Sequence, residues 1–303
     1  MKVLWSTTKT SWMFSILCMA AFLNMAAACI WTVYATTDDE NTTLPSPRTQ
    51  TTLTADLAVQ RNPNGMMLMT GGYRRWIQVM TENGMSAQYV QAGFGLGVSP
   101  AYAKGSIHGE WQPAIFANLR LEYDLYRFFG VNTGLLSFPD AHSKFGRQEL
   151  EDRKGSEERA TGHRIFFQPT LNALVGPVII MNQTDLTYER FNGDGPYFLE
   201  LEYNTLVKDG DYVIANRTRF LVPSWKGTGA AVLYVGPYYE ITHAGDADIS
   251  RQRVGGQLLW VPANTLWGMN KPRIYSQAGV NIQDRNRRGE VYMALGFGAD
   301  FNL

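Results

Sequence analysis

The sequence predicts an all-β protein: a transmembrane antiparallel β-barrel of 10 to 12 strands, 12 favoured, preceded by a signal peptide and a flexible linker. Three observations predict it. Segments of roughly 10 to 14 residues alternate apolar and polar side chains, separated by short Gly, Pro, Asp and Asn turns. The chain opens with a basic and then apolar stretch of the secretory kind. From Val291 onward it alternates without a break, with Met293, Leu295, Phe297, Ala299, Phe301 and Leu303 on one face.

Composition narrows the class. A chain of 303 residues holds one large domain or two small ones. With 27 basic and 27 acidic residues it offers no electrostatic pull on nucleic acid. Apolar content is 45%, yet mean hydropathy is slightly negative, which suits strands with one apolar and one polar face and not a helical membrane bundle. Cys18 and Cys29 both lie in the N-terminal apolar region, so the rest of the chain can form no internal disulfide and no thiolate metal site.

The N-terminus reads as a sorting device. Lys2 and Lys9 precede an apolar stretch from about Trp12 to Ala35, and small residues place cleavage after Ala28 or Ala35. The run approaches a membrane-spanning length, so an uncleaved anchor is the alternative. Met25-Ala-Ala-Ala-Cys29 loosely resembles a bacterial lipoprotein box in which Cys29 would be lipidated, but Ala26 stands where Leu is usual. Residues 36–63 are rich in Thr, Asp, Asn and Pro and are expected to be a disordered polar linker. Residues 64–303 then form a single barrel domain.

The strands follow in order. Stretches 65–78 and 128–138 are candidate additional strands, and 87–98 alternates weakly. In 115–125, Ile115, Ala117, Leu119, Leu121, Tyr123 and Leu125 oppose Phe116, Asn118, Arg120, Glu122 and Asp124. Residues 139–162 mix charges of both signs with hardly an apolar residue and read as a charged, solvated loop with a short helix, ahead of a substrate-gripping element. Weaker alternation continues through 163–175, 178–191, 211–223, 229–243 and 250–262. Clean alternation marks 196–206, where Tyr197, Leu199, Leu201 and Tyr203 oppose Glu200, Glu202 and Asn204, and also 273–283.

A soluble β-sandwich uses the same pattern, so length and girdles decide. Sandwich strands are commonly about five or six residues, whereas a tilted strand needs about 9 to 11 to cross a bilayer. Trp225, Tyr238, Tyr239, Trp260 and Trp267 lie near strand ends, as interfacial aromatic girdles require. The face bearing Glu, Asp, Arg, Asn and Gln then looks into a lumen. Closing the sheet also removes the unpaired edge that long alternating strands would present.

Gly298-Ala-Asp-Phe301-Asn-Leu303 resembles the C-terminal β-signal of bacterial outer-membrane barrels, the porin-like class: a Gly, an aromatic and a terminal hydrophobic residue on an alternating strand. The resemblance implies a place in the bacterial outer membrane. It implies surrounding outer-membrane lipids, handling by periplasmic chaperones, and recognition by the barrel assembly machinery through Gly298, Phe301 and Leu303. Leu303 departs from the commoner Phe, and no specific family is indicated.

Motifs for catalysis or cofactors are weak. Gly93-Phe-Gly-Leu-Gly97 lacks phosphate-cradle spacing and reads as room for a bulky lumen neighbour. His108, His142, His163 and His243 have no metal-ligand spacing, and no GxSxG elbow occurs. No cofactor and no metal is therefore expected. His142 and Ser143 are the only pair that suggests an enzyme, a membrane-rim lipid hydrolase (lipase or deacylase), and adjacency in a charged loop does not make a dyad.

The informative remainder is a set of charges predicted to face the lumen: Arg120, Glu122, Asp124, Glu200, Glu202, Arg217, Arg219, Glu240 and Arg253. Opposite charges could pair across strands and fill a narrow barrel, or form a polar constriction that selects a solute by charge. Barrels of about eight strands are usually filled and those of about 16 leave a channel, so this size does not decide. The leading expectation is passage of a small or extended hydrophilic solute through a charged lumen. The alternatives are a non-conducting structural or accessory barrel of an envelope or export complex, the lipid hydrolase, and a secreted soluble β-sandwich binding protein.

Overall fold

The structure is a computed structural model that describes residues 49–61, 66–79, 87–131, 134–226, 231–262, 265–266 and 269–302. All of them belong to one compact unit, Pro45–Leu303. The expected signal peptide, Cys29, the first part of the expected linker, Trp267 and Leu303 lie outside the described residues.

The long strands are β1 (Thr49–Arg61), β2 (Met66–Val79), β3 (Ala87–Val98), β4 (Tyr102–Ala114) and β5 (Ala117–Phe128). They continue as β7 (Thr161–Val175), β8 (Val178–Phe191), β11 (Asp211–Lys226), β12 (Val232–Ala244), β13 (Ile249–Val261), β15 (Met269–Gln283) and β16 (Val291–Asn302). Four short strands, β6 (Ser137–Phe138), β9 (Tyr197–Glu200), β10 (Thr205–Lys208) and β14 (Thr265–Leu266), and one helix, α1 (Arg147–Asp152), complete the described elements.

The twelve long strands pair antiparallel with sequence neighbours, and the ladders return to their start: β13 pairs with β15, and β16 pairs with both β15 and β1. Each long strand therefore has two partners. That is the condition a β-structure must meet where no water satisfies backbone N–H and C=O groups.

Alternation turns the apolar face outward. Ile107 is 65% exposed while its neighbour Ser106 is 7% exposed. On β5, Leu121, Tyr123 and Leu125 point out, and Glu122, Asp124 and Tyr126 are buried inside. Phe94 and Leu96 of β3 and Met293, Leu295 and Phe297 of β16 extend the apolar exterior around the ring. Trp225 and Trp260, near the ends of β11 and β13, are exposed as girdle residues should be. One outward patch is polar: Asn182 donates to Asn216 (3.1 Å) and Thr218 (2.8 Å), and Asn216 donates to Thr184 (2.8 Å). These groups satisfy one another, which lowers the cost of presenting amides to hydrocarbon.

Several sequence expectations need correction. The expected linker 36–63 contains β1. Its few large apolar residues suffice because only one face meets lipid: Leu53, Ala55 and Leu57 point out, while Thr54 and Asp56 bond to Asp300 and Arg273. Stretch 128–138 is no spanning strand; Phe128 ends β5, Leu135, Leu136 and Phe138 are buried, and among the described residues of the stretch after Phe128 β6 is the only strand. Stretch 196–206 is no spanning strand either. It folds as the hairpin β9–β10, turning at Asn204 with φ 54°, a left-handed value that Asn tolerates well. Tyr238 is not a girdle residue but lies inside, 2% exposed, against Gly255 and Gly279. Strand β4 is absent from the sequence reading because Gly105 and Gly109 thin its outward face.

With an even ring, the start of β1 and the end of β16 lie at one end of the barrel. Two-residue turns at that end join β4 to β5 and β7 to β8, the latter with Gly176 at φ +57°. The opposite end carries the long connections 129–160 and 192–210. Their apolar side chains pack into a cluster across that mouth: Leu135, Leu136, Phe138 and Phe145 meet Phe198, Leu199, Leu201, Leu206 and Val207. Strands β6, β9 and β10 form a small sheet of their own there. The loop 139–162 is charged and contains a helix as expected, but it is anchored: buried Arg287 donates to the Phe145 carbonyl at 3.0 Å.

Candidate functional site

All nine charges expected inside the lumen are on its walls or on the hairpin that enters it, and they form two groups. The first is acidic. Strands β4, β5 and β7 bring Lys104, Asp124 and Arg164 into register, because Lys104 lies one pair from Asp124 and Asp124 is opposite Arg164. Arg164 holds Asp124 (2.6 Å) and, from the hairpin, Glu202 (2.6 Å). Lys104 approaches Asp124 at 3.5 Å, Glu202 at 3.4 Å and Glu122 at 3.9 Å. Tyr126 donates to Glu202 at 3.0 Å. Arg120 bonds Glu122 (Nε, 2.8 Å) and lies 3.8 Å from Glu110.

Two carboxylates on the hairpin have opposite environments. Glu202 is held well below the usual carboxylate range: burial pushes it up, but Arg164 and Lys104 outweigh that. Glu200 is pushed up to about 7 by burial and by the neighbouring Glu202, although the backbone N–H groups of Tyr203 and Glu202 bond to it. Buried Glu189 lies close to both.

The second group is basic and centres on Glu240. Arg217 bonds it at 2.6 Å, Arg251 at 2.8 Å, and Arg253 approaches at 3.5 Å. Arg253 also lies over the face of Tyr292 at 3.9 Å and donates to Asn281 Oδ1 at 3.4 Å. Arg219 differs: among the described residues it reaches Gln183 at 3.4 Å and no carboxylate at ion-pair distance. A cavity of about 430 Å³ lies between the hairpin and this wall, lined by Glu202, Arg217, Arg219, Glu240, Arg253 and Gln257 among others.

The sequence reading missed Lys104, Arg164, Arg251 and the Asp56–Arg273–Asp300 group. Lys104, Ser106, His108, Glu110 and Gln112 share one phase, and Arg251 shares the phase of Arg253, so the signal was present. Gly298, expected as part of an assembly signal, also has a packing reason to be glycine. A Cβ there would stand 2.1 Å from an Asp56 oxygen and 2.8 Å from Arg273 Nε, so it leaves room for that ion pair. Gly95 and Gly97 face the lumen, beside Ser106 and Lys104 on β4.

Of the residues hydrolase chemistry would use, His142 is exposed, and its backbone N–H, with that of Ser143, bonds to Asp140. A serine–histidine contact does occur at another place: His243 Nδ1 is 2.9 Å from Ser250 Oγ, between paired outward positions on β12 and β13.

A ring of antiparallel strands with an apolar exterior and a charged interior is a bacterial outer-membrane β-barrel, and its surroundings are the lipids of that membrane. No family model matches the chain, and no curated protein matches it. Among solved structures it is similar to the β domain of the Bordetella autotransporter BrkA, at 11% identity and TM-score 0.39, covering 84% of this chain and 98% of that one. It is also similar to the translocator domain of the autotransporter NalP from Neisseria meningitidis, at 13% identity and TM-score 0.37, covering 94% and 98%. The KdgM porin overlaps at 7% identity and TM-score 0.33, covering 83% and 99%. Overlaps this partial assign no residue a role.

Proposed function

We propose that the barrel passes a small hydrophilic solute through its charged lumen. The observation that carries this reading is the cavity of about 430 Å³ inside the ring, walled by five of the nine charges expected there, Glu202, Arg217, Arg219, Glu240 and Arg253. Its size falls within the roughly 300–1,000 Å³ of small-molecule sites. The apolar cluster at the loop end has to give way for passage, and the element positioned to do so is the β9–β10 hairpin. It is short and reaches the wall through ion pairs of Glu202. Purified barrel in planar bilayers should show discrete conductance steps. A silent bilayer with correctly folded protein would overturn the reading.

The same apolar cluster favours a second reading, a non-conducting structural or accessory barrel of an envelope or export complex, for which a permanently silent bilayer is the expected result. For assembly, we propose that the barrel assembly machinery engages Gly298 and Phe301 of β16 together with Leu303, which follows it in the sequence. Deleting 301–303 should leave unassembled protein in the periplasm, and normal insertion of that truncation would remove the proposal.

A further inference from the structure

Within that reading, the lumen wall names the charge of the solute: we infer that Arg219, with Gln257 and Arg217, forms a binding site for a small anionic solute bearing a carboxylate or phosphate group. Around the cavity the lining cations Arg217, Arg219 and Arg253 outnumber the lining carboxylates Glu202 and Glu240. The carboxylates are already engaged. Glu202 is committed to Arg164 and Lys104 on the far wall, and Glu240 is shared by Arg217, Arg251 and Arg253. Asp185, which stands next to this wall on β8, accepts from Gln168 (2.8 Å) and Gln183 (3.0 Å). Among the described residues Arg219 has one amide contact, of 3.4 Å, so its guanidinium keeps donors for a ligand.

An independent observation points the same way. Gln257 is 8% exposed and lines the cavity; its carbonyl accepts from Gln277 (3.3 Å), and among the described residues its Nε2 donor has no partner. A buried donor without an acceptor is costly, and an incoming oxyanion removes that cost. A guanidinium and an amide N–H both donate, so a ligand that meets them presents oxygen acceptors, and the excess of lining cations over carboxylates favours one that carries negative charge. The position inside the barrel wall, only partly open to solvent, strengthens the attraction relative to bulk water.

The test measures binding apart from passage. Inorganic phosphate is titrated calorimetrically into the full-length barrel folded in detergent micelles. We expect saturable binding, weakened about ten-fold by Arg219→Gln and partly retained by Arg219→Lys, since removing one charged hydrogen bond costs about that factor. Gln257→Leu, read on protein with the heat-modifiable mobility of a folded barrel, should also weaken it, while the exposed loop variant Lys154→Gln should leave it unchanged. Absence of phosphate binding to the parent protein, or equal binding by folded Arg219→Gln, would overturn the inference. Intact phosphate binding in a barrel that never conducts would support this site and sink the passage reading instead.

Discussion

Arg164 shows what the lumen charges do at the residue scale. It is buried and bonds two carboxylates, one on its neighbouring strand and one on the hairpin. Removing one partner of a buried ion pair leaves the other uncompensated, which costs about 3–5 kcal/mol. Arg164→Met should therefore lower the stability of the folded barrel by about 3 kcal/mol in a urea titration. A change within experimental error would mean that Asp124 and Glu202 find other compensation. Gly298→Val should lower the temperature at which the folded form melts in SDS, because the new side chain displaces the Asp56–Arg273 pair. Wild-type melting of that variant would contradict the packing account. Alternation put seven of the nine expected charges on long strands with their side chains inward, whereas Glu200 and Glu202 belong to a hairpin and not to the spanning strand expected for them. Lys104 was missed because a charge is recognised as inward only once its strand is recognised, and β4 was not; Arg164 opens a stretch that was read as a strand, but it pairs with Asp124 only through the β5–β7 register, which alternation alone does not give.

At the element scale, the β9–β10 hairpin is the decisive correction. Its alternation matches that of a spanning strand, yet Asn204 turns the chain within it and its apolar side chains pack against β6 and Phe145 instead of lipid. Period-two patterning reports that one face is buried in something apolar; it does not distinguish a bilayer from a neighbouring loop. Strand β1 failed in the opposite sense, since a Thr-rich composition concealed a clean period. The hairpin also carries a pH dependence. Glu200 has its folded value raised, so it binds its proton more tightly when docked. Its contribution favours docking below about pH 4.5 and weakens as pH rises to about 7. Glu202, held low by Arg164 and Lys104, contributes above its unfolded value, and that contribution is lost progressively as pH falls below it. Open probability in a planar bilayer should accordingly rise between pH 5 and 8, and Glu200→Gln should flatten that rise. An unaltered profile in Glu200→Gln would remove the hairpin carboxylate from the account of gating.

At the scale of the whole molecule, twelve ladders in a ring leave no free sheet edge among the long strands, so the unit should behave as a barrel does. The protein should fractionate with outer membranes and migrate faster in SDS before boiling than after. Soluble, SDS-sensitive protein in the periplasm would contradict the fold assignment. Both connections that close the mouth lie at the end opposite the start of β1 and the finish of β16. Loop 139–162 therefore lies at the end opposite the start of β1 and the finish of β16. The class was legible because lipid outside and water-like charge inside impose one alternation on every strand. The role was not, because it depends on how a hairpin and a few arginines meet in space.

The central claim, passage through a charged lumen, is tested most directly by single-channel recording of the purified full-length barrel under a salt gradient. The account predicts discrete openings with a reversal potential on the anion-selective side, shifted toward zero by Arg219→Gln. Folded protein that stays silent across the pH range, or conducts with no preference that Arg219 influences, would contradict it.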